Sequence, residues 1–264
     1  MLEIFLVQME VAPNDKAKNF AKVEALTQGI RKEAGSLEGK ANAGLIVLPE
    51  MFATGYLPLH PEKAAENFST SAAGETAQFL HGLAQQTGCI VMGSGISSSG
   101  TGLLTNHTSV YTAESDIEFA HYDKRKPFFM EQGKFTGGID ASLFEINEWQ
   151  VAPTVCFDLR FPELYRDAVK LGANLFTVQA AWPAKRIAHW NALLKARAIE
   201  NQAYVAGVNC ISSDRNYTGN SQIVNPLGEI IAEAQGNEEC IISARIDAEF
   251  AENYRKEFPV LAGI

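Results

Sequence analysis

Apolar and polar positions along the chain follow two periods, and each period predicts one kind of element. Short runs of large apolar residues predict strands, because strands buried on both faces show nearly continuous hydrophobic sequence. Apolar residues spaced three or four apart predict helices with one buried face. The run "LEIFLVQMEV" (2–11) predicts a first strand, and a helix capped by Asn14 or Asp15 follows it.

The rest of the chain continues to alternate between strands and helices. Further strands are predicted at 45–50, 89–97, 103–112, 117–124, 151–158, 173–181, 204–212 and 240–248, with a hairpin at 221–234 that turns at 225–228. Helices are predicted at 74–88, 162–172, 186–202 and 249–258, and loops at 35–44 and 97–102. Interleaved strands and helices predict an α/β fold in which helices cover sheets. No linker or repeat divides the sequence, so we interpret 1–264 as a single domain.

The charge balance narrows the class of protein. Acidic residues outnumber basic ones by 31 to 22, so the formal net charge is −9. Nucleic acids and anionic membrane surfaces attract clustered Lys and Arg, so we expect neither as a partner. No apolar run reaches the roughly 20 residues that span a bilayer, and the N-terminus lacks the basic region of a signal peptide. These features predict a cytoplasmic protein.

The four cysteines do not form a metal-binding pattern. None lies within four residues of another, which excludes the usual spacing of structural zinc ligands, so we expect no metal and no cofactor. Cys89, Cys210 and Cys240 are interpreted as structural residues, because unpaired cysteines are commonly buried. Cys156 differs, since "PTVCFDLRFPEL" surrounds it with charged and aromatic side chains.

Three reactive side chains stand at the ends of predicted strands: Glu50 in "IVLPE", Lys124 in "FAHYDK" and Cys156 in "PTVC". Ligand sites of α/β proteins collect at such ends, so the three side chains are candidates for one site. Together they would provide a thiol nucleophile, a carboxylate base and an ammonium that stabilises an oxyanion. The backbone N–H of Phe157 is a candidate second donor.

Each of these residues also has a simpler interpretation. Glu50 could stabilise a helix N-terminus, Lys124 could lie in a solvated loop, and Cys156 could be a core residue. A Cys–His pair with His121 or His189 is another possible arrangement, and a thiol peroxidase is a further one. These alternatives stay open at the level of the residues themselves.

Five motifs in this order resemble the carbon–nitrogen hydrolase (nitrilase) superfamily over nearly the whole chain: "LIVLPEMFATGY", "YDKRKPF", "CFDLRFPEL", "ARAIENQAYV" and "SQIVNPLGEIIAEA". The resemblance implies a four-layer αββα sandwich with a Cys156 nucleophile, a Glu50 general base and a Lys124 transition-state donor. It also assigns substrate positioning or proton transfer to Glu131 of "EQGKFTGG", which could otherwise be a surface carboxylate. Members of the superfamily commonly pair, which predicts a homodimer or a larger homo-oligomer.

The segment "AAWPAKRIAHWNALLKARAIENQ" resembles the small bacterial ω-amidase-like branch of the superfamily. These enzymes hydrolyse the terminal amide of short dicarboxylic acid monoamides, such as 2-oxoglutaramate or 2-oxosuccinamate, to the dicarboxylate and ammonia. The chain departs from the usual pattern of the branch at residues 126–128 and at Ala181. Hydrolysis of a small nitrile by the same triad, and a non-catalytic binding protein with this fold, are the alternatives.

The same resemblance suggests which residues would bind the substrate. Phe128, Phe129, Phe157 and Trp182 are candidates for aromatic pocket walls. A substrate carboxylate needs a basic partner, for which Lys126 and Arg186 are the candidates. Arg160 is instead expected to be structural and to pair with Asp158 or Glu163.

Overall fold

The computed structural model describes residues 1–30, 44–69, 74–98, 102–212 and 216–263. The strands are β1 (Leu2–Gln8), β2 (Gly44–Val47), β3 (Ile90–Ser98), β4 (Leu104–Tyr111), β5 (Ala120–Asp123), β6 (Phe144–Ile146), β7 (Trp149–Val155), β8 (Leu175–Ala180), β9 (Tyr204–Asn209), β10 (Ile211–Ser212), β11 (Tyr217–Thr218), β12 (Gln222–Val224), β13 (Ile230–Glu233) and β14 (Cys240–Ile246). The α-helices are α1 (Lys16–Thr27), α2 (Pro61–Ala64), α3 (Glu75–Thr87), α4 (Pro162–Lys170), α5 (Ile187–Asn201) and α6 (Ala248–Glu257). The predicted loop 35–44, except Gly44, and residues 99–101 of the predicted turn 97–102 lie outside the described residues.

Two six-stranded sheets lie at the centre of the fold. Their strand orders are β14-β1-β2-β3-β4-β5 and β13-β12-β9-β8-β7-β6. In each sheet three neighbouring strands are parallel, β1 to β3 and β7 to β9, and the outer strands pair antiparallel. Parallel neighbours need a crossover connection, which here carries α4 between β7 and β8 and α5 between β8 and β9.

The inner faces of the two sheets share one apolar core. Alternate residues of a strand point to opposite faces, so Ile4 and Leu6 of β1 meet Val151 and Leu175 of the second sheet in this core. Phe5 and Val7 lie on the outer face of β1 and pack in a second core with residues of α1 and α3, including Val23 and Leu80.

A third core lies on the outer face of the second sheet. There Phe176 and Val178 of β8 pack against Leu164 of α4 and Leu194 of α5. The layers are therefore helix, sheet, sheet and helix, and the predicted four-layer αββα sandwich is confirmed. Within the described ranges, no helix combines the length and the apolar character needed to cross a membrane.

Several predicted boundaries need correction, and one of them matters for the site. The strand predicted at 151–158 ends at Val155 and is followed by a 3-10 helix, Cys156–Arg160. Cys156 has a φ of 47°, a left-handed conformation that ends an extended strand. The first strand also ends earlier than predicted, at Gln8, and β5 is shorter, Ala120–Asp123. The predicted cap at Asp15 is confirmed, since its side chain accepts a hydrogen bond from the Lys18 N–H at 3.0 Å.

Candidate active site

The three side chains predicted from strand ends lie close together, just beyond the ends of strands from both sheets. Glu50 follows β2, Lys124 follows β5 and Cys156 follows β7, so both sheets contribute to the site. The Nζ atom of Lys124 lies 2.9 Å from Oε1 of Glu50, and the charge of Glu50 acts on the Cys156 thiol and raises its pKa. Glu50 and Lys124 are each about 1% exposed. A charged pair this deeply buried needs further hydrogen bonds, and the site supplies them.

A second carboxylate, Glu131, completes the buried charge cluster. Its side chain is fully buried, and its Oε1 lies 2.9 Å from Nζ of Lys124. Its other oxygen accepts the backbone N–H of Phe128. The interpretation of Glu131 as a surface carboxylate is therefore wrong. One ammonium therefore lies between two buried carboxyl groups.

Two further groups hold Glu50 in place. The side-chain amide of Asn106 donates to Oε1 of Glu50 at 2.8 Å, and the backbone N–H of Ala181 donates to Oε2 at 3.0 Å. The Asn106 amide also lies 3.4 Å from Oε1 of Glu131. The Glu50 carboxylate thus receives three donors, counting Lys124, which fixes its position beside the thiol.

Burial and charge determine the resting protonation states of Lys124 and Cys156. Burial alone lowers the pKa of the Lys124 ammonium, but the charges of Glu50 and Glu131 outweigh it and raise this pKa above its usual value. Burial raises the pKa of the Cys156 thiol well above its usual value, Glu50 raises it further, and Lys124 lowers it only in part. The resting site therefore contains a charged lysine and a protonated thiol, and the thiol needs a base.

The carboxylate whose charge acts on this thiol is that of Glu50. The histidines that the sequence left as alternatives have other neighbours. The ring of His121 stacks on the ring of His107 at 5.2 Å, and Nδ1 of His189 lies 3.2 Å from the Arg160 guanidinium. The arrangement thus favours a carboxylate–thiol pair over a Cys–His pair.

A cavity of about 310 Å³ opens above Cys156. It is lined by Tyr56, Phe128, Met130, Cys156, Phe157, Arg160, Ala181, Trp182, Pro183, Lys185, Arg186, Asn216 and Tyr217. The volume suits a small molecule, at the lower end of ligand pockets. Among these described lining residues three are cationic and none is acidic, although the chain as a whole has a formal net charge of −9.

The basic residues around the cavity differ in part from those predicted. Arg186 lines it as predicted, and its guanidinium lies 5.9 Å from the centre of the Phe128 ring. Lys126 is not among the described lining residues, and its role stays a prediction. Its Nζ lies 5.2 Å from the centre of the Phe161 ring and 3.9 Å from Glu163.

The prediction for Arg160 needs correction. It lines the cavity, and its guanidinium lies 4.7 Å from the centre of the Trp182 ring. It pairs with neither predicted partner, because Asp158 is buried with other donors and Glu163 faces Lys126.

Aromatic side chains form much of the cavity wall. Phe128, Phe157 and Trp182 all line it, and the Phe128 and Phe157 rings meet edge to face at 5.1 Å. Phe129, the fourth predicted wall residue, is 63% exposed and lies outside the lining. The backbone N–H of Phe157 lies in the first turn of the short 3-10 helix, where N–H groups have no acceptor within the helix.

The chain matches one known family over nearly its whole length. The family model described as carbon–nitrogen hydrolase matches residues 4–256, nearly the whole chain. The chain belongs to the carbon–nitrogen hydrolase family. It is accordingly an enzyme that hydrolyses carbon–nitrogen bonds other than peptide bonds.

Relatives within the carbon–nitrogen hydrolase family point to the ω-amidase-like branch. The chain is 38% identical over 228 residues to omega-amidase YafV of Escherichia coli (strain K12), covering 84% of this chain and 85% of that protein. It is 31% identical over 265 residues to the 2-oxoglutaramate amidase of Bacillus subtilis, covering 99% and 96%. Among solved structures, a CN-hydrolase superfamily protein of Xanthomonas campestris superposes with a TM-score of 0.86 at 28% identity, covering 100% of this chain and 97% of that one.

Three contributors to this carbon–nitrogen hydrolase site were missed at the level of sequence. Asn106 stands inside the uniformly buried strand β4, where a polar residue facing the space between the sheets was the available signal. Tyr56, in the motif "LPEMFATGY", lies with its ring 5.6 Å from Nζ of Lys124. Ala181 contributes only its backbone N–H, which no side-chain pattern could have indicated.

Proposed function

We propose that this enzyme hydrolyses the terminal amide of a small ω-amide that carries a carboxylate at its other end. The observation that supports this most strongly is the combination of a buried Glu50–Lys124–Cys156 cluster with a small cavity whose charged lining residues are all basic. The dicarboxylate monoamides 2-oxoglutaramate and 2-oxosuccinamate have the required chemistry.

The first step forms a thioester. Cys156 attacks the amide carbon while Glu50 accepts the thiol proton, so a carbon–sulfur bond forms as the carbonyl oxygen becomes an oxyanion. Lys124 has three N–H groups, of which the two carboxylates occupy two. The third and the backbone N–H of Phe157 stabilise the oxyanion. The carbon–nitrogen bond then breaks, and Glu50 returns its proton to the leaving ammonia.

The second step releases the acid. A water molecule takes the place of ammonia, Glu50 accepts one of its protons, and the resulting hydroxide attacks the thioester carbon. The same donors stabilise the second oxyanion. The carbon–sulfur bond breaks and the thiolate recovers a proton from Glu50. No proton is gained or lost by the site over the whole cycle.

Arg160 and Arg186 would hold the carboxylate of the substrate. Burial lowers the pKa of Arg160, and the nearby charge of Arg186 lowers it further, because like charges repel. An anion between them relieves this repulsion, and guanidinium groups bind carboxylates through two parallel hydrogen bonds. Lys185 adds a third positive charge to the same wall.

Glu131 would act by positioning. It binds Lys124 through one oxygen and the backbone of Phe128 through the other, so it connects the ammonium to the segment that forms one cavity wall. We assign it this role rather than proton transfer, since both of its oxygens already accept hydrogen bonds from the protein.

Ammonia release tests the chemistry. Cys156→Ala should abolish ammonia release from 2-oxoglutaramate, and Cys156→Ser should nearly do so. Wild-type activity in Cys156→Ala would refute the thioester mechanism. A nitrile of matched length, assayed beside the amide, should release ammonia far more slowly, and the opposite order would support nitrile hydrolysis instead.

A second comparison tests substrate recognition. Arg160→Ala should raise KM for 2-oxoglutaramate roughly 10- to 100-fold, the value of one hydrogen bond to a charged group, and leave a neutral amide of equal length nearly unaffected. Lys126→Ala is the matched control, because its side chain faces Glu163 rather than the cavity. Equal effects on both amides in Arg160→Ala would contradict the assignment.

A further inference from the structure

The two segments that carry Cys156 and Lys124 are joined by one buried carboxylate. Asp158 is fully buried and lies two residues after Cys156, in the same 3-10 helix. Its Oδ2 accepts the hydroxyl of Tyr122 at 2.8 Å, and its Oδ1 accepts the backbone N–H of Lys126 at 2.8 Å. Tyr122 and Lys126 lie on either side of Lys124 along the chain, so Asp158 hydrogen-bonds to the Lys124 segment on both sides of this residue.

The same carboxylate also fixes the turn at Cys156. Its Oδ2 accepts the backbone N–H of Val155 at 3.1 Å, and its own carbonyl accepts the N–H of Phe161 at 3.0 Å. Cys156 lies between these contacts with a φ of 47°. A left-handed conformation is costly for a residue with a Cβ atom and persists only where surrounding contacts hold it.

We propose that Asp158 is a positioning residue, whose ionised carboxylate holds the Cys156 turn and the Lys124 strand end in the relative positions that catalysis needs. The proposal rests on the proposed function of Cys156 and Lys124. It adds a residue that touches neither the substrate nor the reacting atoms and acts through the two residues that do.

The charge on Asp158 is essential to this role because its three partners are all donors. A protonated Asp158 would point an O–H group at one of them, and the backbone N–H groups of Val155 and Lys126 cannot accept it. The tyrosine hydroxyl could accept, but only by giving up its own donation. Protonation therefore loosens the connection between the two catalytic segments.

The surroundings of Asp158 give its carboxyl group a pKa at which an enzyme can be assayed. Burial raises its pKa to about 6, against the opposing effects of the Lys124 charge and of the hydrogen bonds from Tyr122, Val155 and Lys126. Tyr165 of α4 also lies near it, and burial raises the pKa of that phenol far above this range. The side-chain charge of Lys126 is directed to Glu163 instead.

The test compares the pH dependence of kcat for ammonia release in matched variants. Removing the Tyr122 hydroxyl removes a bond that stabilises the ionised form, so Tyr122→Phe should move the acid limb of the profile upward by about one pH unit. Tyr165→Phe is the matched control: it also removes a buried phenol hydroxyl, one bound to Thr154 at 2.9 Å, and should leave the limb where it is in the wild type.

Asp158→Asn is the second variant. Its amide must place an N–H group against a donor, so kcat should fall roughly 10- to 100-fold with KM little changed. A wild-type kcat in this variant, or an acid limb in Tyr122→Phe that coincides with the wild-type limb, would overturn the proposal. If Asp158→Asn does not fold, the limb of Tyr122→Phe decides alone.

A readout without an amide substrate separates this proposal from the proposed function. The rate at which iodoacetamide alkylates Cys156 is measured across pH, and its maximum is compared between variants. In Asp158→Asn this maximal rate should fall by a factor similar to that for kcat. If wild-type protein releases no ammonia from any ω-amide, the proposed function fails, and the alkylation rates still test Asp158. Equal alkylation rates in wild type and Asp158→Asn would overturn the positioning role.

Discussion

Replacing Lys124 with Gln should separate charge balance from catalysis. The ammonium lies 2.9 Å from both Glu50 and Glu131, and all three side chains are about 1% exposed or less. Removing it leaves two carboxylates without their counter-charge, and breaking a buried pair in this way costs about 3–5 kcal/mol. For a chain of this length that corresponds to a loss of roughly 6–20 °C in melting temperature. The loss of one oxyanion donor should lower kcat by about 10²- to 10³-fold.

The pH dependence of this variant has a defined sign. Burial raises the pKa of Glu131, Glu50 raises it further, and Lys124 opposes both. Without Lys124 the folded-state pKa rises further above the unfolded value, so the folded protein binds the proton more tightly. The destabilisation should therefore be greatest at high pH and diminish as pH falls through the raised pKa.

The double variant Lys124→Gln with Glu131→Gln is the matched control. It removes one carboxylate with the ammonium, so differential scanning calorimetry should show part of the melting temperature restored. The kcat for ammonia release should stay low, because the donor is still missing. A double variant that regained most of the wild-type kcat would show that Lys124 only balances charge, and the oxyanion role would then be wrong.

Further predictions concern stability. Burial lowers the pKa of His107, but hydrogen bonds and charges from Asp123 and Glu118 raise it to about 9. The protonated ring stabilises the folded state by about 3 kcal/mol, fully below pH ~6.5, and this stabilisation is lost as pH rises through about 9. In His107→Gln, the free energy of unfolding in urea should therefore fall less over this pH range. A pH profile equal to that of the wild type would contradict this. Gly207→Ala places a Cβ atom 2.7 Å from the Leu194 side chain, so it should cost about 1–3 kcal/mol of unfolding free energy. Gly82→Ala has open space and lies inside α3, so it should gain about 0.5–1 kcal/mol, and a loss there would refute the steric argument.

The arrangement of layers could be predicted because the pattern of burial is strong. β1 is buried on both faces, which produces the nearly continuous apolar run at the N-terminus. Elements without such a pattern were missed, such as the three-residue strand β6 and the one-turn helix α2. Short elements form because the surrounding structure imposes them, and their own sequence carries little signal. The single domain, the homo-oligomer and the cytoplasmic location stay predictions.

Site residues could be predicted where the type of side chain indicates its chemistry. They could not be predicted where the role depends on the direction in which the side chain points. The strand ends indicated Glu50, Lys124 and Cys156, and these residues do meet. Asp158 and Arg160 lie in the same motif, but their assignment to each other was wrong. A helical turn places neighbouring side chains on different faces, so Arg160 faces the cavity while Asp158 faces the interior.

The raised pKa of the Cys156 thiol has a consequence for chemical durability. Oxidants attack the thiolate much faster than the thiol, and sulfinic and sulfonic acids form irreversibly. An empty site that keeps Cys156 protonated beside Glu50 exposes little thiolate to peroxide. Peroxide should therefore inactivate this enzyme more slowly than a cysteine hydrolase that stores its nucleophile as a preformed thiolate–imidazolium pair. In the proposed mechanism, a base that removes the proton only during attack thus also protects the nucleophile between turnovers.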